Sequence, residues 1–408
     1  MNEIEIKQNL RERASSIGLD IEGGQVRRSS SRYCLGVEHG DYNGCELFGV
    51  GTDRFIWLAF KPNNSGRVRI FSENFPDDGL VEFNLGEAAE PGALPDSWAR
   101  FPHGVEYILR REGYGLTCGF DAVLYGNIPG GGMSRSASLS LNLIETFFEV
   151  SGIVVDEGMR IVDLAQMVEV EYIGSPCGKL DQIMIYFARE GMGTYFNPRT
   201  LKIEHIPFGG DSGEFLIVSM DTGTNRPGLE KSTYKVRREE CDALAEFLNT
   251  EMGLSTLGDI NTDELYKRVQ LALENHPLAA SLPRVKYIYE AQQRFHDTLD
   301  AWRSGDIARV GSNFRQDGIG LRDDYQISGP ELESMCDIVR TVDGVYGERM
   351  LGGGDKGASG ALVRVDAFEQ LKASVERSYP ASHPAYADLF AVHACRTVDG
   401  LVCSPLNS

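Results

Sequence analysis

The sequence lacks the cysteine pairs, the long apolar runs and the positive charge that mark several classes of protein. Its eight cysteines include no C-x-x-C pair, and their spacing fits neither a zinc site nor a compact disulfide framework. No stretch approaches the roughly 18 continuous apolar residues of a membrane-spanning helix. Acidic residues number 60 and basic residues 40, which gives a formal net charge of −20. A field of this sign repels nucleic acid and anionic lipid, so we expect no nucleic-acid partner and no membrane partner.

The beginning of the sequence and its overall composition are those of an ordinary globular protein. The first 20 residues alternate charged positions with isolated apolar ones, without the hydrophobic region of a secretory signal. Scattered thiols are typical of a reducing compartment, so we expect a cytoplasmic location. The chain has 408 residues, of which 42% are hydrophobic and 25% charged. This length predicts two or three domains with cores of normal size.

Apolar runs predict buried strands, and helical periodicity predicts amphipathic helices. Strands are expected at 56–60, 215–218 and 361–363, and helices at 134–150, around Cys241 to Leu248, and at 287–302. No regular βαβ alternation is visible, which favours the α+β class. The short glycine-rich segment 207–213 is the best candidate hinge. It divides the chain into domains 1–208 and 209–408 with a cleft between them.

A glycine-rich loop lies ahead of the predicted helix at 134–150. Three consecutive glycines, Gly130 to Gly132, allow a tight turn and a close approach to a ligand. The start of the helix presents unpaired N–H groups and the positive end of its dipole. The serines of segment 134–138 and Arg135 would also suit a triphosphate with magnesium. The loop matches neither the Walker A nor the G-x-G-x-x-G pattern, so a plain loop with a serine N-cap is the alternative interpretation.

A second cluster, near the N-terminus, is dense in hydrogen-bonding side chains. Glu38, His39, Asp41 and Asn43 fall within six positions, with Arg32 shortly before them. Carboxylates and an imidazole can line a sugar, because they accept or donate hydrogen bonds in several directions. Arg32 could face a phosphate with two donors. The alternatives are a polar turn that closes on Asn43 and Gly44, and a metal site for which the spacing is poor.

Two further segments carry candidate chemistry. A helix is expected after Pro176, with Asp181 in its first or second turn, where the dipole favours the ionised carboxylate. Such an aspartate could act as a general base, or it could be a helix-terminal carboxylate without chemistry. The segment 352–360 is rich in glycine, which indicates close backbone approach or a strained turn. Lys356 at its tip is either a ligand contact or a solvated lysine.

In this order, the elements resemble the galactokinase branch of the GHMP small-molecule kinases, over about 32–363. Arg32 with Glu38 to Gly44 resembles the sugar signature, Pro129 to Ser138 the phosphate loop, and Pro176 to Gln182 the segment of the catalytic aspartate. Further similar segments are Tyr234 with Val236 to Cys241, Leu321 to Tyr325 with Pro330 to Leu332, and Arg349-Met350 with Gly352 to Gly354. Each segment is weak evidence alone, whereas the ordered set is specific.

The resemblance implies a fold and an activity. The fold would be the two-domain α+β GHMP kinase fold, with a ribosomal-protein-S5-like N-terminal domain, a ferredoxin-like C-terminal domain and the active site in the cleft between them. The activity would be transfer of a phosphoryl group from ATP, with Mg2+, to the anomeric hydroxyl of galactose or a close relative. The expected partners are therefore a small sugar and ATP, in a monomer or weak homodimer.

The resemblance also implies residue roles. Asp181 would take the proton of the anomeric hydroxyl or orient it, and Arg32 would stabilise the anion and the transferring phosphoryl group. The sugar would be lined by Glu38, His39, Asp41, Gly178 and Tyr234. The nucleotide would be held by Gly130, Gly131, Gly132, Met133, Ser134, Arg135, Ser136 and Ala137. Ser136 would also contact the magnesium ion.

Departures from the family pattern leave other functions open. Arg135 replaces a serine and Asp355-Lys356 replaces a Phe-Gly pair, so an anionic sugar such as galacturonate, or another substrate of a sugar-1-kinase, is an alternative. Glu38 disfavours a uronate, because it stands where the C6 hydroxyl is usually met and would repel a carboxylate. A non-catalytic sugar and ATP sensor is a second alternative, although Ser136, Ala137 and Asp181 are present. A kinase for mevalonate or homoserine is disfavoured by the sugar-type cluster.

Overall fold

The structure, a computed structural model, describes residues 2–209, 214–224, 228 and 231–407. Within these residues it has twelve β-strands and eleven α-helices. The strands are β1 Gln25–Gly36, β2 Leu47–Asn63, β3 Arg67–Ser72, β4 Leu80–Asn84, β5 Gly119–Gly126, β6 Met192–Asn197, β7 Lys202–Pro207, β8 Phe215–Asp221, β9 Val345–Met350, β10 Ala358–Arg364, β11 Ala391–Cys395 and β12 Leu401–Pro405. The helices are α1 Glu3–Ser16, α2 Arg100–Arg111, α3 Arg135–Ser151, α4 Gly158–Met167, α5 Leu180–Tyr186, α6 Thr233–Met252, α7 Asp263–Leu273, α8 Leu282–Ser304, α9 Ile307–Asp323, α10 Pro330–Arg340 and α11 Phe368–Ser382.

The described strands form two sheets. The larger sheet has the order β12-β1-β2-β5-β3-β4, with β6 paired to β2 and β7 paired to β6. The smaller sheet has the order β11-β8-β10-β9. Among the described strands the pairs are antiparallel, except that β3 runs parallel to β5. A mainly antiparallel sheet with helices outside any repeated βαβ unit confirms the predicted α+β class.

Residues 55–60 of the central strand β2 form a continuous apolar run because both faces of the strand are covered there. Phe55, Trp57 and Ala59 pack with helix α1, whereas Ile56, Leu58 and Phe60 belong to the cluster on the opposite face that includes α2 and α3. Successive side chains of a strand point to opposite faces, so a strand covered on both sides needs an apolar residue at every position. The larger sheet therefore lies between α1 on one face and α2 and α3 on the other. The glycine-rich loop directly precedes α3.

The second half of the chain places its helices on the smaller sheet and beside the larger one. Helices α10 and α11 cover one face of the smaller sheet, in a cluster that includes Met335, Val339, Leu371 and Val375. Helix α9 packs along β9, and helix α8 packs on α9 and reaches β1. This arrangement brings the segment after β9 up to the start of α3.

The predicted secondary structure is largely confirmed. The three predicted strands lie inside β2, β8 and β10, and the three predicted helices lie inside or overlap α3, α6 and α8. Strand β12 returns to pair with β1 in the larger sheet, which the sequence did not indicate. The division into domains 1–208 and 209–408 stays a prediction, and residues 210–213 of its hinge lie outside the described residues. In the described part of the chain, no helix is both long enough and apolar enough to cross a membrane.

Candidate active site

A cavity of about 500 Å³ lies where α3, α5 and the start of α6 meet the segment after β9. Its lining contains all the site residues predicted from the sequence except Met133 and Ala137. The predicted residues come from β1, from three loops and from the helices α3, α5 and α6, separated by up to about two hundred positions in the chain. The fold therefore gathers in one cavity the motifs that the sequence presents separately.

Arg32 connects the two chemically different parts of the cavity. Its Nε and Nη2 both donate to Oδ1 of Asp181, at 2.8 and 2.6 Å, while Nη1 donates to the carbonyl of Gly132 at 2.6 Å. Asp181 lies in the first turn of α5, as predicted, and its side chain is 33% exposed. The guanidinium thus holds the candidate base with one edge and the glycine-rich loop with the other.

Glu38 lies beside Arg32 and is almost completely buried. One carboxylate oxygen is 3.7 Å from Arg32, and the other is 2.9 Å from Arg349. Burial raises the pKa of Glu38, and the two guanidinium groups oppose that rise. The result is a carboxylate fixed from two sides at the polar end of the cavity.

Asp41 is held by the same helix that carries Asp181. Its Oδ2 accepts a hydrogen bond of 3.0 Å from the backbone N–H of Leu180 at the start of α5. Burial raises the pKa of Asp41, and this N–H opposes the rise. A Cβ at Gly178 would lie 1.9 Å from the same oxygen, so only glycine fits there. Gly178 therefore serves the site by leaving room for Asp41.

The aromatic residues around His39 close this end of the cavity. The Nδ1 of His39 is 2.9 Å from the hydroxyl of Tyr42, which in turn is 2.7 Å from the hydroxyl of Tyr325. The ring of Tyr234, at the start of α6, lies 5.3 Å from the ring of His39. Within the described residues, no three His, Cys, Asp or Glu side chains form a metal site, so the metal alternative for Glu38, His39 and Asp41 receives no support.

Backbone contacts build the glycine-rich loop before α3. A Cβ at Gly131 would lie 2.9 Å from the Cα of Gly357, and one at Gly352 would lie 2.9 Å from the Cα of Gly132. The N–H of Gly130 donates to the carboxylate of Asp221, whose pKa is raised by burial. The two glycine-rich segments found in the sequence therefore support each other, and neither has room for a side chain at the contact.

The three serines of this loop have different environments. Ser134 precedes α3 with a φ of 63° and does not cap the helix, so the serine N-cap of the alternative interpretation is not found. Its Oγ is buried without a hydrogen-bond partner among the described residues. Ser136 donates to Glu169 at 2.8 Å, and Ser138 donates to Ser29 at 2.8 Å inside the core.

Two of the predicted nucleotide residues do not line the cavity. The side chains of Met133 and Ala137 are 0% exposed and belong to the main hydrophobic core. Ala137 shares the inward face of α3 with Leu141 and Ile144, since these positions are one helical turn or two apart. Neither residue is exposed in this structure, and their contact with a nucleotide stays a prediction.

Glu169 is a cavity residue that the sequence did not reveal. It lies in the π-helical segment Val168–Ile173 between α4 and α5. One carboxylate oxygen accepts from Ser136, and the other accepts from Nε2 of Gln182 at 2.9 Å. No motif surrounds Glu169, and only the fold shows that it lies beside the start of α3.

The far end of the cavity is rich in apolar side chains, and the sequence did not reveal it. Its apolar lining residues are Ile56, Phe75, Trp98, Phe101, Leu124, Leu139 and Ile173, next to the polar Ser72, Asn74, Asp96, Ser97 and Arg100 of the same segments. Trp98 has a buried Nε1 with no hydrogen-bond partner among the described residues. The guanidinium of Arg135 lies 5.7 Å from the centre of the Phe75 ring, between the loop and this apolar end. Lys356 does not line the cavity, and Asp355 accepts from Thr233 at 2.5 Å.

Comparisons with known proteins agree with this arrangement. The family described as "GHMP kinases N terminal domain" matches residues 102–189. A galactokinase of Streptococcus mutans is 30% identical over 86% of this chain and 88% of its own. A galactokinase of Levilactobacillus brevis is 29% identical over 90% of this chain and 93% of its own. The crystal structure of Lactococcus lactis galactokinase complexed with galactose superposes with a TM-score of 0.88 at 26% identity, covering 97% of this chain and 99% of that one.

Proposed function

We propose that this chain, which belongs to the galactokinase family of GHMP kinases, transfers the γ-phosphoryl group of ATP to the anomeric hydroxyl of galactose. The observation that carries the proposal is the position of Arg32, which hydrogen-bonds Asp181 and the carbonyl of Gly132 at once. Phosphoryl transfer depends mainly on positioning and on neutralising charge. A cation between the acceptor side and the phosphate loop supplies both.

Asp181 is the residue proposed to deal with the acceptor proton. Its Oδ1 takes both hydrogen bonds from Arg32, and among the described residues none donates to Oδ2. Oδ2 is therefore the oxygen proposed to accept from the anomeric hydroxyl. As the oxygen of that hydroxyl forms its bond to the γ-phosphorus, the bond from phosphorus to the β–γ bridging oxygen breaks and ADP leaves. The proton passes to Asp181 and from there to solvent.

The neighbouring side chains are proposed to bind and orient galactose. Glu38, Asp41 and His39 offer hydrogen-bonding atoms at the polar end of the cavity, with Gly178 and Tyr234 beside them. The carboxylate of Glu38 favours a neutral sugar, because a uronate would bring a second negative charge to a buried site. Galactose is therefore preferred to galacturonate.

The glycine-rich loop and the apolar end are proposed to hold the nucleotide. Gly130 to Gly132, Ser134 and the start of α3 would meet the phosphates, because a helix N-terminus presents unpaired N–H groups to an anion. The Oγ of Ser134 is buried and without a described partner, which suits a phosphate oxygen as acceptor. The aromatic residues at the far end would enclose the base, with Arg135 between base and phosphates.

Magnesium fits this site by the chemistry of the available donors. The hydroxyl of Ser136 and the carboxylate of Glu169 are 2.8 Å apart beside the phosphate loop, and Gln182 orients the carboxylate. Mg2+ prefers oxygen ligands and binds through one or two carboxylates together with substrate phosphates. When bound, it would neutralise charge on the β- and γ-phosphates. The cytoplasmic location and the monomer or weak homodimer stay predictions from the sequence.

The test is ADP release by the purified protein with Mg-ATP and one of six sugars: galactose, galacturonate, N-acetylgalactosamine, arabinose, fucose or glucose. We expect turnover on galactose, and a fall on the order of 10²–10⁴-fold in Asp181→Ala, the range for removal of a general base. Asp163→Ala is the matched control, since Asp163 pairs with Lys179 and does not line the cavity. Turnover on galacturonate alone would replace the proposed sugar. Binding of ATP without turnover on any sugar would contradict the kinase and favour a sensor.

A further inference from the structure

We propose that Arg349, which does not line the cavity, is a positioning residue that fixes Glu38 for sugar binding, and that Asp317 holds Arg349 in place. The inference rests on the proposed sugar kinase function and deepens it. It assigns control of the sugar subsite to two residues that the substrate does not touch.

Arg349 is the centre of a buried network behind the cavity. It lies on β9, and its side chain is 0% exposed. Its Nη2 donates to Oε2 of Glu38 and to the carbonyl of Cys34, both at 2.9 Å, and Nη1 donates to the carboxylate of Asp317. The guanidinium also lies 4.5 Å from the centre of the Phe314 ring. With donors used in two directions and one face against a ring, the guanidinium has a single orientation.

The charges of this network alternate in sign from helix α8 to the candidate base. The order is Arg294, Asp317, Arg349, Glu38, Arg32 and Asp181. Each inner member has an opposite charge on both sides, so the buried charges balance. Removal of one partner from such a set is costly because it leaves a buried charge without compensation. The state of Glu38 therefore depends on residues of β9 and α9.

Arg349 decides what Glu38 presents to a sugar. Because Oε2 is bound by Arg349, Oε1 is the oxygen on the side of Arg32 and the cavity. An ionised carboxylate only accepts hydrogen bonds, whereas a protonated one adds a donor and loses its charge. Burial raises the pKa of Glu38, and Arg32 and Arg349 oppose this rise. Arg349 thus keeps Glu38 a fixed acceptor for a sugar hydroxyl.

The groups around Glu38 come from several elements. Those with an electrostatic interaction with it are Arg32, Tyr33 and Cys34 on β1, Asp181 on α5, Tyr287 on α8 and Arg349 on β9. Apart from Arg32, Arg349 is the one cation in this set of described residues. Its replacement by a neutral side chain would raise the pKa of Glu38 further.

Strand β9 also offers a matched control. Glu348, the residue before Arg349, points the other way and pairs with Arg315 and Arg340, each at 2.7 Å. Its side chain is as buried as that of Arg349, and none of these three residues lines the cavity. Glu348→Gln therefore breaks a buried ion pair on the same strand without touching Glu38.

The experiment measures the KM for galactose, the KM for ATP and kcat of the full chain. In Arg349→Met we expect the galactose KM to rise roughly 10–100-fold, the equivalent of one charged hydrogen bond, with an ATP KM within about twofold of wild type. Arg349→Lys should recover part of the loss, and Asp317→Asn should shift the galactose KM in the same direction by less. Glu348→Gln should lower the melting temperature and leave the galactose KM unchanged.

Two further readouts separate positioning from general damage. In a Glu38→Gln background, Arg349→Met should add little to the galactose KM, because the two residues act as one unit. In Arg349→Met alone, kcat/KM for galactose should begin to fall at a higher pH on the acid side than in wild type. Arg349→Lys should restore the wild-type profile.

The possible failures are distinct. An unchanged galactose KM in Arg349→Met, or equal rises for galactose and ATP, would overturn the role of Arg349. If Arg349→Met does not fold, Arg349→Lys and Asp317→Asn decide the question by the same two KM values. Lack of turnover on galactose by the wild type would instead overturn the proposed function, and the variants would then be compared by equilibrium binding of galactose.

Discussion

The two ends of the cavity are built in opposite ways. At the sugar end, charged side chains hold one another: Arg32 binds Asp181, and Glu38 lies between Arg32 and Arg349. At the nucleotide end, glycine backbone meets glycine backbone, as at Gly132 and Gly352, and the far wall is apolar. The shape of the sugar end is set by ion pairs between side chains, and that of the nucleotide end by close contacts between glycines.

The difference follows from what each proposed ligand brings. A neutral sugar offers only hydroxyl groups, so selectivity requires side-chain acceptors and donors at fixed positions. A nucleotide carries its own charge and a large flat base, so backbone N–H groups and an apolar wall can hold it. The sugar end should therefore respond to changes of charge geometry, and the nucleotide end to changes of volume.

Among the changes that test this comparison of the two ends, the largest effect is expected from Arg32→Lys, which keeps the charge and removes the planar fork. A lysine ammonium cannot bond both Asp181 and the carbonyl of Gly132, because it lacks the spread of the guanidinium. We expect kcat to fall roughly 10²–10³-fold, as when one preorganised donor to a developing charge is lost. Steady-state kinetics with galactose and ATP would measure this.

Arg27→Lys is the control for this change. Arg27 lies on the same strand and is also buried, but it pairs with Glu149 and Thr146 away from the cavity. Its replacement should lower the melting temperature with little change in kcat. Similar losses of kcat in both variants would mean that the fork of Arg32 has no special role.

The next effect concerns volume at the nucleotide end. In Gly352→Ala the new Cβ would lie 2.9 Å from the Cα of Gly132, so the phosphate loop must shift. We expect kcat/KM for ATP to fall by up to about 10²-fold, the effect of a displacement of roughly 1 Å in a reacting geometry.

Gly253→Ala separates crowding from backbone strain. Gly253 has the same φ of 70° as Gly352, but an added Cβ there meets nothing within 4 Å. Both variants carry the strain of a left-handed residue, and only Gly352→Ala displaces the loop. Equal losses of kcat/KM for ATP in the two variants would contradict the proposed contact.

How much the sequence revealed also differs between the two ends. The sugar end was predictable because Arg32, Glu38, His39 and Asp41 are close in sequence. Asp181 was predictable because Pro176 precedes the helix in whose first turn it lies. The phosphate loop was predictable because its glycines and serines are consecutive. The spacing did not show that Met133 and Ala137 belong to the hydrophobic core, a placement that depends on how this segment packs on the sheet.

The parts that were missed depend on long-range packing. The apolar wall takes Ile56 from β2, Phe75 from a loop and Trp98 from the approach to α2, and no one of these stands out locally. Strand β12 pairs with β1, although almost the whole length of the sequence separates the two strands. Such contacts carry no local signal in a single sequence, since any buried strand has the same apolar pattern.

A further prediction concerns the carboxylate of Glu169, which accepts a hydrogen bond from Ser136. Glu169→Gln removes the charge beside Ser136 and keeps the shape of the side chain. We expect the magnesium concentration for half-maximal activity to rise about tenfold, the lower end of the range for groups that hold or orient metal ligands. Glu171→Gln is the control, since Glu171 belongs to the same segment but pairs with Arg111 at the surface. An equal magnesium requirement in both variants would exclude Glu169 from the metal site.

The smallest effect concerns His393, a half-buried ionisable group in the smaller sheet. Burial, and then the nearby Arg54, lowers the pKa of His393 on β11 to about 4, with Asp53 opposing and Lys372 reinforcing the shift. An unfolded histidine titrates near 6.5, so between about pH 6.5 and 4 the unfolded chain binds a proton that the folded chain does not. Stability should therefore fall as the pH drops through this window, by about 2 kcal/mol after allowance for solvent screening, and no further below it.

His393→Asn should flatten this dependence. Urea unfolding at pH 7 and pH 5 would show a smaller acid loss in His393→Asn than in wild type, whereas His296→Asn, at a side chain 69% exposed, should keep the wild-type loss. The same loss in all three proteins would mean that His393 is protonated in the folded state. Galactose kinetics at neutral pH should stay unchanged, because His393 does not line the cavity. A half-buried histidine beside neighbouring cations would then weaken the fold in acid, whereas Glu38 at the sugar end is buried between two opposite charges.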